Sequence, residues 1–240
     1  MRNALTRSSG IRHLLRAAAA LLLQGGVCAA DSQPAQPAWP DTFVTRVEAL
    51  AVLETLNAEL LSHDSATATL EHWCAEHRLA TPARVIAMRV IGIDKPPTSL
   101  QRRDLHVTES EPLRYRRVRL TCGAVALSEA DNWYVPSRLT AEMNQQLETS
   151  DTPFGKVVQP LRFQRHTLAA DLLWHPLPDG WEMGSAAAPA GSGALAIPAQ
   201  VLQHRAVLTL PDGTPFSEVL ETYTSGVFGF SRAAPQSSPN

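Results

Sequence analysis

Along FVTRVEALAVLETLNAELLSH the apolar residues Val44, Val47, Leu50, Leu53, Leu56 and Leu60 return every three or four positions. That period puts one apolar stripe on a helix, which His63 and Asp64 end. A second helix is expected at once: Asp64, Ser65 and Thr67 are candidate caps, and Leu70, Trp73, Cys74 and His77 fall on one face. Then the period changes. The β-branched run RVIAMRVIGI at 84–93, closed by DKPP, predicts a strand running into a turn. LRYRRVRLT and SEADNWYVP predict two more strands, joined as a hairpin around Gly123. Residues 140–147 predict a short helix, and TPFG at 152–155 starts another turn that Pro153 favours. After His166 the pattern weakens, and residues 167–200, with several Pro, Gly and Ala, are expected as a loop or insertion. VLQHRAVLTL returns as a strand, and Asp212-Gly213 is a hairpin signal into TPFSEVLETYTSGVF. Two helices followed by hairpins predict an α+β domain, an antiparallel sheet with helices covering one face.

The two ends of the chain read differently. Residues 1–30 hold four arginines and no acid, then AAAALLL and the small-residue stretch GGVCAA. This is a secretory signal pattern with cleavage expected after Ala29 or Ala30, giving a periplasmic or secreted protein; the Arg-rich, acid-free composition also suits a mitochondrial transit peptide. Residues 31–43 read as a flexible leader, 44–232 as the folded domain and 233–240 as a tail. Elsewhere no apolar run approaches the ~20 residues that span a bilayer, so no stable membrane insertion is expected once the signal is removed.

A formal net charge of -2 argues against a protein that coats nucleic acid through bulk electrostatics. Of the three cysteines, Cys28 would leave with the signal. Cys74 and Cys122 could pair in an oxidising compartment, but two buried thiols is the preferred reading. His166, His175 and His204 show no HxxxH or HExxH spacing, so no zinc site is expected. The sequence leaves the oligomeric state open.

The charge that needs explaining is local. LRYRRVRLTC, 113–122, carries Arg114, Arg116, Arg117 and Arg119. On a strand Tyr115, Arg117 and Arg119 share one face, while Arg116, Val118 and Leu120 share the other. For Arg114, Arg116 and Arg119 the expectation is exposed pairing with acids of the next strand, where Glu129 and Asp131 stand at matching alternation.

The order of these motifs resembles the chorismate pyruvate-lyase family, whose fold is shared by the ligand-sensing domains of some bacterial transcription regulators. DSAT at 64–67 is similar to that family's helix opening, with Ala66 where a Met is usual. LRYRRVRLTC resembles its arginine-bearing strand, NWYVP at 132–136 the end of the next strand, and TPFG its Thr-Pro-Leu-Gly. DGTPFSEVLETY at 212–223 resembles the last hairpin. The resemblance implies a chorismate-lyase-like fold and conversion of chorismate to 4-hydroxybenzoate and pyruvate without a cofactor. It implies Arg117 as the carboxylate-binding arginine and Glu221 as the ligand-contacting glutamate. Ala66, Asn132, Phe154 and Gly155 would line the pocket. Three departures bear on this. The spacing from Pro215 to Glu221 is one residue longer than the family's, so either a bulge restores the register or Glu218 takes the place. Asn132 stands where the lyases tend to carry an arginine, and the exported N-terminus is unusual for such an enzyme. The alternative is an exported, non-catalytic binder of a small aromatic or carboxylated ligand.

Overall fold

A computed structural model describes residues 39–186, 189 and 191–231. The expected signal at 1–30, residues 31–38 of the leader and the tail at 233–240 lie outside the described residues. Helix α1 (Phe43–Ser62) opens on Thr42, whose hydroxyl accepts from the Thr45 amide, and buries Ala49, Leu53, Leu56 and Leu60. Val44, placed in the apolar stripe by period alone, faces solvent on the first turn. Helix α2 (Ala66–Glu76) is capped by Ser65 and buries Leu70, Trp73 and Cys74. Between β1 (Val85–Arg89) and β2 (Arg114–Cys122) the chain forms the short helix α3 (Ser99–Asp104), started by a Thr98/Gln101 capping box. Then follow β3 (Val125–Tyr134), α4 (Ala141–Thr149), α5 (Phe154–Val157), β4 (Gln164–Leu172), β5 (Gln200–Thr209) and β6 (Pro215–Thr224).

The six strands form one antiparallel sheet in the order β1-β2-β3-β6-β5-β4. This is the α+β architecture that the pattern predicts. Because side chains alternate, cross-strand pairing fixes two faces. Arg116, Asn132 and Val219 stand in one row and Val118, Ala130 and Glu221 in the next, all on the face under α1, α2 and α5. Arg117, Asp131 and Leu220 stand on the reverse face, where α3 brings Asp104 to 3.1 Å from Arg205.

Three expectations change. The segment expected as loop from 167 is strand as far as Leu172: β4 is an edge strand with mostly exposed or half-exposed residues, so it lacks the apolar run that marks a buried strand. The leader is not loose over its last residues. Trp39 is only 3% exposed, sits edge-on to Phe228 at 5.4 Å and to Phe230 at 5.8 Å, and donates its indole N–H to the Phe228 carbonyl. Finally, Cys74 and Cys122 are bonded as a disulfide with Cα atoms 6.4 Å apart, tying α2 to the end of β2. Two cysteines 48 residues apart cannot reveal that in sequence; it takes the packing of α2 across β2 to bring them together.

Candidate functional site

Two apolar clusters fill the helix-covered side of the sheet. One gathers around Leu53, Trp73, Val118, Leu120 and Tyr223, the other around Phe154, Phe163, Leu208 and Phe216. Where they meet, a cleft remains between the sheet and the start of α2, with about 500 Å³ of space free of protein atoms when the open solvent at its mouth is included. Val118, Leu208 and Val219 rise from the strands, Phe154 and Phe163 close the sides, and Asp64 to Thr67 form the lip. Gly155 in α5 comes close to the side chains that open α2: a Cβ there would stand 3.2 Å from Ser65 Oγ and 3.3 Å from Thr67 Oγ1.

Five of the six residues singled out in the sequence, Ala66, Asn132, Phe154, Gly155 and Glu221, line this cavity. Arg117 does not. It points from the reverse face, with Nη2 3.2 Å from Glu129 and Nη1 3.4 Å from Asp131, in the paired arrangement expected for its neighbours. Two guanidinium groups stand in the cavity wall, that of Arg165 and that of Arg116, one residue earlier than Arg117, and the expectation that Arg116 is an exposed, paired strand arginine fails. The register forces the exchange. Arg116 alternates with Val118 and Leu120, which are core residues, so its side chain must start inward.

Arg116 is 7% exposed. Its Nε donates to the Leu147 carbonyl at 3.1 Å and Nη2 to those of Thr152 at 3.1 Å and Ser150 at 3.5 Å. Among the described residues no carboxylate lies within ion-pair reach of it. Burial, reinforced by the nearby Arg89 charge, pushes its pKa down to about 10.

Across the cavity Glu221 is held by two donors. Its Oε2 accepts from Arg165 Nη2 at 2.7 Å and from the Tyr223 hydroxyl at 3.1 Å. The alternative, Glu218, is on the reverse face beneath α3, 3.4 Å from Arg205. The extra residue before Glu221 is absorbed by a bulge at Phe216: Leu208 pairs with Ser217 and Thr209 with Pro215, and Phe216 is passed over. Sequence reasoning missed Arg165 altogether, because it lies on the polar edge strand β4. Its side chain is 4% exposed, and its Nε finds no hydrogen-bond partner among the described residues. Burial is the largest influence on Arg165 and lowers its pKa, but the charge and hydrogen bond of Glu221, with Tyr223 and Asp64, together hold the group above its ordinary value. Asn132 Oδ1 accepts from the Ser217 hydroxyl at 2.7 Å.

No family model matches the chain. It is 54% identical over 202 residues to "Uncharacterized protein y4mC" of Sinorhizobium fredii, over 84% of this chain and 85% of that one. The chain belongs to the y4mC family. Similar solved structures include the possible transcriptional regulator YydK of Bacillus subtilis, 17% identical, TM-score 0.37, covering 62% of this chain and 61% of that one. PhnF of Mycobacterium smegmatis is 13% identical with TM-score 0.42, covering 64% of each chain. The chain thus spans less than two thirds of the length of these two proteins. The effector-binding domain of the Bacillus subtilis trehalose repressor is 13% identical, TM-score 0.35, covering 64% of this chain and 99% of that domain.

In this y4mC-family chain, then, the cavity offers one buried guanidinium without a counter-carboxylate, an apolar middle, and a carboxylate whose orientation is fixed by Arg165 and Tyr223. Among the described residues no group of three or more His, Cys, Asp and Glu is placed to hold a metal ion, and no helix is long and apolar enough to cross a membrane.

Proposed function

We propose that this protein binds a small carboxylate with an apolar, aromatic body in the cavity between α2 and the sheet, and that it does so as a binder and not as a lyase. The observation that carries the reading is Arg116, a nearly buried cation with only carbonyl partners at the wall of an apolar cavity. A ligand carboxylate would supply the missing charge, and a charge-assisted hydrogen bond of this kind contributes about 1.5–3 kcal/mol. Phe154 and Phe163 would flank the ring. Glu221 is suited to accept a hydrogen bond from the far end of the ligand. With Arg165 and Tyr223 already bonded to it, it is a fixed acceptor.

Chorismate lyase activity is the second reading. It is favoured by one observation, that a guanidinium and a glutamate share a cavity as the motif resemblance implies. Export to the periplasm or outside the cell belongs to the same proposal; the pattern of residues 1–30 and the Cys74–Cys122 disulfide support it.

Calorimetry with 4-hydroxybenzoate tests the binder. Saturable binding that Arg116→Ala weakens about tenfold or more, with no 4-hydroxybenzoate formed from added chorismate, is the expected result. Turnover of chorismate would establish the lyase instead, and no binding of either compound would remove both.

A further inference from the structure

On the outer side of Arg116 lies a second concavity, between the end of β1, the start of β2 and the C-terminal end of α4. Arg89, Arg114, Arg116 and Arg117 all line it, against two acids, Asp94 and Glu148. Arg117 is neutralised from the reverse face by Glu129 and Asp131. The other three converge on the end of α4: Arg114 pairs with the Glu148 carboxylate, Arg89 donates to the Glu148 carbonyl, and Arg116 donates to the Leu147 carbonyl. A helix C-terminus carries roughly half a negative charge. Three guanidinium groups therefore face the full charge of Glu148, that of Asp94 on the rim and one half charge, leaving an excess of about half a positive charge around an open groove. Asp94 forms no ion pair with any of the three among the described residues. That Arg89 disfavours the charged form of Arg116 shows the excess is felt at the buried member.

We infer that this groove is an anion-binding site for a phosphorylated or polycarboxylated small molecule, gripped by Arg89 and Arg114 at the surface and by Arg116 from within. Arg89 and Arg114 are exposed and rimmed by Ile91 and Leu113, so a ligand can reach them without moving the fold. Planar guanidinium groups converging from two strands match the geometry of phosphate and carboxylate oxygens. Because Arg116 also borders the inner cavity, the outer anion and the inner carboxylate would compete for the same guanidinium, and each would weaken the other by the same factor. The outer site does not rest on the proposed function: Arg89 and Arg114 do not touch the inner cavity.

The test is calorimetry on the full chain with inorganic pyrophosphate and citrate as probes, at constant ionic strength so that simple screening is held fixed. Binding is expected, weakened about tenfold or more by Arg89→Ala combined with Arg114→Ala, while affinity for 4-hydroxybenzoate changes less than about twofold. Thermal melting of the variant without ligand checks that it is folded, and pyrophosphate should raise the Tm of the original chain but not that of the variant. Equal pyrophosphate affinity in the two proteins, or no binding to the original chain, overturns the inference whatever happens with 4-hydroxybenzoate. Loss of 4-hydroxybenzoate binding in a variant that still binds pyrophosphate as before would overturn it too.

Discussion

His204 lies on β5 behind the cavity with no exposed surface, its ring edge-on to Tyr223 at 5.5 Å. One ring nitrogen, Nε2, meets Asn57 Oδ1 at 2.8 Å, while Nδ1 is buried without a partner among the described residues. Asn57 Oδ1 can only accept, so a neutral His204 carries its proton on Nε2 and gains nothing from a second one. Burial, and then the Arg165 charge, lower its pKa from 6.5 to about 4; Glu221 and Asp171 pull the other way and lose. The unfolded chain therefore takes up a proton as pH falls through 6.5, whereas the folded chain does not until about 4. Stability from this group is complete above 6.5 and falls with pH down to about 4, where the loss stops growing. Between about pH 7.5 and about pH 5 that loss comes to roughly 2 kcal/mol. Urea unfolding of the original chain and of His204→Leu at both pH values isolates it, since carboxylates near their own ordinary pKa contribute equally to both proteins. The original chain should lose about 2 kcal/mol more than the variant on acidification. Parallel losses would refute the argument and place a charged His204 in the folded state.

Removing both Cys74 and Cys122 by substitution with Ala should lower stability by about 4 kcal/mol, the entropy of a loop closed over 48 residues, measured by urea unfolding without reductant. Gly226→Ala would set a Cβ 2.0 Å from the Ala126 carbonyl oxygen, a backbone atom that cannot step aside, so a loss of about 3 kcal/mol or more is expected in thermal melting. Arg117→Ala should leave 4-hydroxybenzoate affinity within about twofold while Arg116→Ala reduces it about tenfold; the reverse ranking would return the carboxylate-binding role to Arg117.

Helices α1, α2 and α4, the hairpin of β2 and β3 and the final hairpin were legible because their apolar periods differ and Gly123 and Gly213 mark the turns with positive φ, whereas the short α3 carries no apolar period and was not expected. β4 was not: an edge strand carries little apolar signal, and Arg165 was lost with it. The error at Arg117 has a different origin. The alternation that groups Arg116 with Val118 and Leu120 was readable from the sequence, and two apolar neighbours mark an inward face. The motif resemblance, which carries no register of its own, overrode it by one position. In a strand one position is the whole difference between core and solvent. Glu221 escaped the same fate because the bulge at Phe216 corrected its count.

Trp39, at the head of the described chain, rests on Phe228 and Phe230, at its foot. The two margins of the described residues are thus held at one aromatic seam, and a short Gly/Ser linker spanning about 5–6 Å times the square root of its length can join residue 39 to residue 231. Reopening the resulting circle at Asp212-Gly213, a tight exposed turn, yields a permuted chain whose new ends fall between β5 and β6. A reporter domain inserted at that turn would sit at the base of the two strands that carry Leu208, Val219 and Glu221, three residues of the cavity wall.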